Sequence, residues 1–299
     1  MNINYDNISD DEIRIIVDGQ EKRKRPRLLY LLIVAGVLFL GAVILWLSLS
    51  KPAQPTNDAP DGYFEPVEAT DTLAVPDDSV LTPLSLVNDS LVTKGFCEVL
   101  DTTINDVPLQ IFIPHRAKAK LHIGRVSEKD KSIIYVAQAA DIYADSKKIL
   151  GAFVLAGKPM AWGLSKKGYC AIINDSVTVG VSENSPLFEE ATEKGGYFFR
   201  QYPLVKNGRL VENEPKNKAL RRAICQRRGE TFMVHSVDKE SLHDFSQALV
   251  DLHVENAVYL VGSVAHGWCI DDAKKRIEWG EPIGRRFPPN TSYIIWRRK

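Results

Sequence analysis

Leu28–Ser50 reads LLYLLIVAGVLFLGAVILWLSLS, 23 residues without a charge. No other stretch restricts the fold of the chain as strongly. A run of that length spans a hydrocarbon core of about 30 Å. Only a helix satisfies its own backbone groups where water is excluded. The run exceeds the roughly 7–15 apolar residues of a signal-peptide core, and no clear small-x-small cleavage site follows. We expect an uncleaved transmembrane helix over 28–50. Glu21–Arg27, EKRKRPR, sets five basic residues just upstream, whereas Lys51 alone precedes an acidic stretch. The positive-inside rule then makes 1–27 a cytoplasmic tail and places all that follows Ser50 outside the cytoplasm, in the periplasm of a Gram-negative cell. No later run is apolar for long enough to cross again, so the expected protein is single-pass.

The charges balance overall but not locally. Of 38 basic and 38 acidic residues, six of each fall in 1–27, Lys51 stands alone, and eight acidic residues fall in 52–92. Residues 93–299 therefore keep 31 basic against 24 acidic. Such a surplus suits a polyanionic partner such as a phosphorylated glycan, though scattered surface lysines produce the same count. Nucleic-acid binding has only this surplus and the terminal Arg297-Arg298-Lys299 in its favour, and is not expected. The 51–92 segment holds six Pro and many Asp without sustained periodicity. It cannot bury enough apolar surface to offset chain entropy, and reads as a flexible spacer.

From Thr93 the pattern becomes globular. LQIFIP, KLHIGRV and SIIYVAQ are rich in β-branched and aromatic residues and read as strands. CAIINDSVTVGV, YPLVKNGRLV and AICQRRGETFMVHS read as hairpins turning at Asn174-Asp175, Asn207-Gly208 and Gly229. SPLFEEATEKGG predicts a short helix with Ser185 as N-cap and Pro186 at the first helical position. SLHDFSQALVDLHV predicts another, with Ser241 as N-cap, Asp244 in its capping box, and Phe245, Ala248, Leu249 and Leu252 on one face. AVYLV, WCIDDAKKRIEW and SYIIWRR complete the series as a strand, a hairpin and a closing strand. The expected class is α+β: a largely antiparallel sheet with a few helices, in one domain over 93–299.

Cys97, Cys170, Cys225 and Cys269 all fall beyond the expected membrane span, where disulfides form. Four cysteines allow three pairings, and buried free thiols are the alternative. No CxxC and no zinc-type Cys/His spacing occurs, and no metal or cofactor is expected. P-loop, GxGxxG, HExxH and GxSxG motifs are absent.

Three segments in order carry a resemblance. GGYFFRQYPLVKNGRL (Gly195–Leu210), RRAICQRRGETFMV (Arg221–Val234) and the helix leading into NAVYLVGS resemble the phosphodiester glycosidase family. Its members show an Asn-Gly-Gly-aromatic-Phe turn, an Arg-x-Ala-Ile strand and a strand ending Leu-Asp-Gly-Gly-Gly-Ser. The resemblance covers about Gly195–Gly267 and implies a site for sugar phosphodiesters of an envelope or exported glycan. It implies that Gly195, Gly196, Gly262 and Ser263 let the backbone approach substrate. Arg222 would grip a phosphate oxygen pair, since a guanidinium fork fits one. Tyr197 would stack on a sugar, with Arg200 as a further contact.

Three positions depart from the family pattern. Val261 replaces the Asp, Lys194 replaces the Asn, and Gly262-Ser263-Val264 replaces the triple glycine. Glycosidic cleavage ordinarily needs one group to protonate the leaving oxygen and another to activate water or stabilise the cation. His266, with Asp271 nearby in sequence, is the best substitute catalytic pair. The alternative is a catalytically inactive domain that binds an anionic glycan or an envelope protein.

Overall fold

The computed structural model describes residues 82–284 and 287–299. The expected cytoplasmic tail, transmembrane helix and most of the spacer lie outside the described residues. Among the described residues no helix is long and apolar enough to cross a membrane.

The fold is α+β and sheet-rich, with seventeen strands and two helices among the described residues and antiparallel pairing between the strands. The first sheet runs in the order β1 (Phe96–Ile104), β2 (Val107–His115), β13 (Glu230–Glu240), β12 (Ala219–Arg227), β14 (Asn256–Leu260), β10 (Pro203–Lys206), β11 (Arg209–Leu210). The second is β16 (Arg276–Trp279), β15 (Gly267–Ile270), β4 (Ile133–Gln138), β17 (Ser292–Arg298), β3 (Ala117–Ile123). The third is β6 (Lys158–Ala161), β5 (Phe153–Leu155), β9 (Tyr197–Gln201), β7 (Gly168–Ile173), β8 (Ser176–Val181).

Local chemistry sets the hairpins. Asn174-Asp175 (φ 50° and 65°), Asn207-Gly208 (49° and 71°) and Arg228-Gly229 (51° and 78°) supply the paired positive φ angles of a type I′ turn. Helix α1 (Leu187–Glu193) begins slightly later than its sequence suggests. Pro186 occupies the N-cap, and Ser185 Oγ reaches the Leu187 amide only at 3.4 Å. Helix α2 (Leu242–Asp251) has the expected cap, Ser241 Oγ accepting from the Asp244 amide at 2.9 Å.

The first sheet buries both faces. One packs Leu109, Ala223, Cys225, Phe232 and Ala257 against Phe245, Ala248 and Leu249 of α2. The other brings Phe112, Ile224, Met233, Val258 and Leu260 onto Tyr135, Cys269 and Ile294 of the second sheet and Phe153, Cys170 and Phe199 of the third. Removal of this apolar surface from water is the main stabilising term. The last residues of the stretch read as spacer also touch the domain. Leu84 packs on the α2 side, and the buried His115 ring sits between Asp89 Oδ1 (2.6 Å) and Glu98 Oε2 (2.9 Å).

Candidate functional site

Strand β14 ends at Leu260, and the chain then turns through Val261–His266 over the top of the first sheet. The Val261 amide donates to Gln138 O at 3.1 Å, tying this loop to the end of β4. The Ser263 amide donates to Leu220 O at 2.8 Å, with Ser263 at φ 47°. Arg222 stands opposite Leu260 across the β12–β14 pairing and is 2% exposed. Its Nη1 donates to Val261 O and Ala265 O, both at 3.0 Å, and its Nη2 to Ser263 O at 3.1 Å. The guanidinium fork that suits two phosphate oxygens here grips the carbonyls of the loop after β14. Val261 is 9% exposed and apolar.

Beneath Arg222 lies a buried aromatic cluster. His235, opposite Arg222 on β13, has Nε2 2.8 Å from the Tyr135 hydroxyl. Its ring packs 4.3 Å from Phe112 and edge-on to Trp279 at 4.5 Å. Burial, then the neighbouring Arg222 charge, hold the His235 pKa well below its ordinary range. Burial likewise raises the Tyr135 hydroxyl far above its own. The pair is therefore a neutral imidazole hydrogen-bonded to a neutral phenol, enclosed by rings.

The residues singled out in the sequence divide into two groups. Arg222, Gly262, Ser263 and His266 come together at the strand-end loop. His266 is 7% exposed, with Nε2 3.9 Å from Glu278 Oε2 and Nδ1 buried with no hydrogen-bond partner among the described residues. Asp271 stands instead in the β15–β16 turn, where Oδ1 accepts the Lys275 amide at 2.7 Å.

Gly195, Gly196 and Tyr197 lie at the start of β9, whereas beyond its far end the Tyr202 carbonyl accepts the Tyr259 amide of β14 at 2.9 Å. Gly195 closes α1 in the left-handed region (φ 70°), and the Gly196 amide donates to Ala191 O at 2.7 Å. A Cβ on Gly196 would sit 2.7 Å from Ile172 O, so its smallness serves strand packing. Arg200 is 2% exposed and donates Nη1 to Lys166 O and Ser182 O (2.8 Å each) and Nη2 to Glu183 O (2.7 Å).

One polar cluster gave no signal in the sequence. Lys166, 5% exposed, pairs with Asp141, donates to Gln201 Oε1 at 2.6 Å and rests 4.0 Å from the centre of the Tyr202 ring. Lys166 is one of two adjacent lysines in SKKG, and nothing in that tetrapeptide tells the buried one from its exposed neighbour. Among the described residues no three His, Cys, Asp or Glu side chains gather to hold a metal ion. A groove of about 440 Å³ opens on the β10–β11 hairpin, lined by Lys206, Asn207, Arg209, Leu210 and Val211. Lys206 pairs with Asn256 at the start of β14, so this groove and the Arg222 loop stand at opposite ends of that strand.

No protein-family model matches the chain, and no curated protein matches it. Among solved structures it is similar to the catalytic domain of zebrafish N-acetylglucosamine-1-phosphodiester alpha-N-acetylglucosaminidase, auto-inhibited by its pro-peptide. That comparison has 15% identity and a TM-score of 0.48, over 69% of this chain and 83% of the other. A hypothetical protein from Synechocystis is similar at 12% identity and a TM-score of 0.48, over 69% of this chain and 62% of that one.

Proposed function

We propose that the chain is a membrane-anchored extracytoplasmic domain of phosphodiester glycosidase type that has lost cleavage chemistry and binds an anionic glycan. The observation that carries this reading is the commitment of Arg222 to the carbonyls of Val261, Ser263 and Ala265. A cation so engaged organises a loop rather than receiving a phosphate, and Val261 supplies no group for proton transfer. The ordered motifs over Gly195–Gly267 support the descent. The excess of 31 basic over 24 acidic residues in 93–299 supports an anionic partner. Exposed Lys206 and Arg209 offer that partner cations in the hairpin groove.

The test uses the full chain in detergent with a panel of chromogenic sugar phosphodiesters, and with a sugar-phosphate polymer in a binding assay. No turnover, with saturable binding that Lys206→Glu combined with Arg209→Glu abolishes, supports the proposal. Turnover by the wild-type chain overturns it, and so does the absence of both turnover and binding.

A further inference from the structure

Among the described residues seven large apolar side chains are exposed, and three of them fall within Met160–Leu164. Met160 (40% exposed), Trp162 (71%) and Leu164 (63%) stand at alternate positions, the spacing at which extended backbone turns side chains to one face. Strand β6, which holds Met160, is an edge strand of the third sheet and pairs with β5 alone. Beyond it the Gly163 carbonyl accepts the Ala152 amide at 3.1 Å, and Lys166 is buried against Asp141 and Gln201. The ridge is therefore held on fixed backbone at both ends.

Much of the basic surplus of the domain flanks this ridge. The 146–174 stretch holds Lys147, Lys148, Lys158, Lys166 and Lys167 without one Asp or Glu. That is five of the surplus of seven (31 minus 24) carried by 93–299. Lys166 is buried, and Lys167 pairs with Glu183 at 2.6 Å. Lys147, Lys148 and Lys158 are exposed and have no carboxylate partner among the described residues, Asp145 being their acidic neighbour in sequence. A Cβ on Gly163 would lie 3.6 Å from Gly151 Cα, so the chain that carries Lys147 and Lys148 passes beside the ridge.

We propose that this face lies on an anionic lipid bilayer, with Met160, Trp162 and Leu164 entering the boundary between headgroups and acyl chains and Lys147, Lys148 and Lys158 meeting lipid phosphates. Inserted apolar side chains and lysines facing anionic headgroups together hold a protein at a bilayer surface. An indole favours that boundary. A sugar polymer would engage the lysines, but Leu164 has no polar group to offer it. A second copy added edge to edge meets Pro159, which has no amide, and the charge of Lys158. Residues 51–81 separate the apolar run 28–50 from the first described residue, Thr82. A stretch of that length reaches up to roughly 100 Å, enough to bring the ridge to the bilayer that the run would span. The inference rests on the anchored placement proposed above only for that proximity, and it is independent of glycan binding.

The experiment uses the full chain in vesicles of phosphatidylcholine mixed with phosphatidylglycerol, and in vesicles of phosphatidylcholine alone. Leu164→Cys carries an environment-sensitive fluorophore, and the free thiols Cys97, Cys170, Cys225 and Cys269 are buried and stay unlabelled in the folded chain. Val237→Cys, at an exposed position of β13 in the first sheet, is the reference. Quenching at 164 and not at 237 by lipids brominated on the acyl chain supports the proposal, when it is lost in Lys147→Glu combined with Lys148→Glu and in Met160→Ser combined with Trp162→Ser. These side chains are exposed, so the substitutions leave the core intact. No quenching at 164, equal quenching at both positions, quenching that survives both double variants, or quenching undiminished in phosphatidylcholine alone overturns it. So does energy transfer between labels at 164 on two copies in detergent, which would make the ridge a self-association surface. Extraction with alkaline carbonate tests the anchor separately. A chain that resists carbonate and shows no quenching at 164 keeps the anchor and loses the ridge. A chain quenched at 164 but released by carbonate keeps the ridge and loses the anchor.

Discussion

Nη1 of Arg222 lies 3.0 Å from the carbonyl oxygen of Val261, the first residue after β14. The apolar Val261 side chain and the engaged Arg222 guanidinium are thus parts of one arrangement. Val261 offers the cation its backbone carbonyl rather than a side-chain group, and the guanidinium turns to it. Replacing Arg222 by Lys keeps the charge but loses the planar fork, so carbonyls of the loop are left unsatisfied. A loss of about 2–3 kcal/mol in stability is expected, read as a lower urea midpoint at unchanged slope.

His235 predicts the acid response. Its folded pKa is depressed, so the unfolded chain takes up a proton near the ordinary value of 6.5 while the folded chain stays neutral. Below that value the unfolded state binds more protons. Stability is therefore fully present above pH 6.5 and falls as pH drops toward the folded pKa. Calorimetric Tm values taken from about pH 7.5 down to about pH 5 should decline. His235→Gln should flatten the slope over that window.

The two glycines that open β9 should respond unequally to alanine. At Gly195 nothing lies within 4 Å of a new Cβ, so Gly195→Ala carries only the strain of φ 70°. That strain is about 1 kcal/mol. At Gly196 the methyl meets a backbone carbonyl at 2.7 Å, and one of two strands must move. Gly196→Ala should cost about 2–4 kcal/mol, measurable as a difference in chemical denaturation midpoints. Glycines held for substrate approach would leave stability nearly level and change ligand affinity instead.

Lys166 and Asp141 call for a double-mutant cycle. Lys166→Met alone leaves a nearly buried carboxylate without its cation, and a loss of about 3–5 kcal/mol is expected. Adding Asp141→Leu should recover most of it, since apolar replacement of both partners removes the desolvation penalty. Recovery would show as a return of the urea midpoint toward wild type.

Much of this architecture was legible in the chain because its signals are local. Asn207-Gly208 and Asn174-Asp175 dictate their turns through backbone conformations that few residues adopt, and Ser241 announces α2 through a bond three residues away. What escaped depended on distance in sequence. Strand β1 carries Asp101, Thr102 and Thr103 in succession, which hides its alternation, and it is recognised only by its pairing with β2. Short β5 and β6 hold too few residues to show a period. Gly195 reads alike as a helix cap and as a ligand contact, because both uses need the same missing Cβ. The role of Arg222 rests on carbonyls 39 to 43 residues downstream, which no motif around Arg222 reports.

Strand β17 sits inside the second sheet, between β4 and β3, although it is made more than 150 residues after both. An emerging chain therefore exposes two strand edges that stay unpaired until synthesis has passed every other strand of the domain. Synthesis from the N-terminus delivers an adhesive intermediate first and the finished sheet last. A holding chaperone, engaged until Ser292–Arg298 arrives, is what this order of assembly asks of the cell.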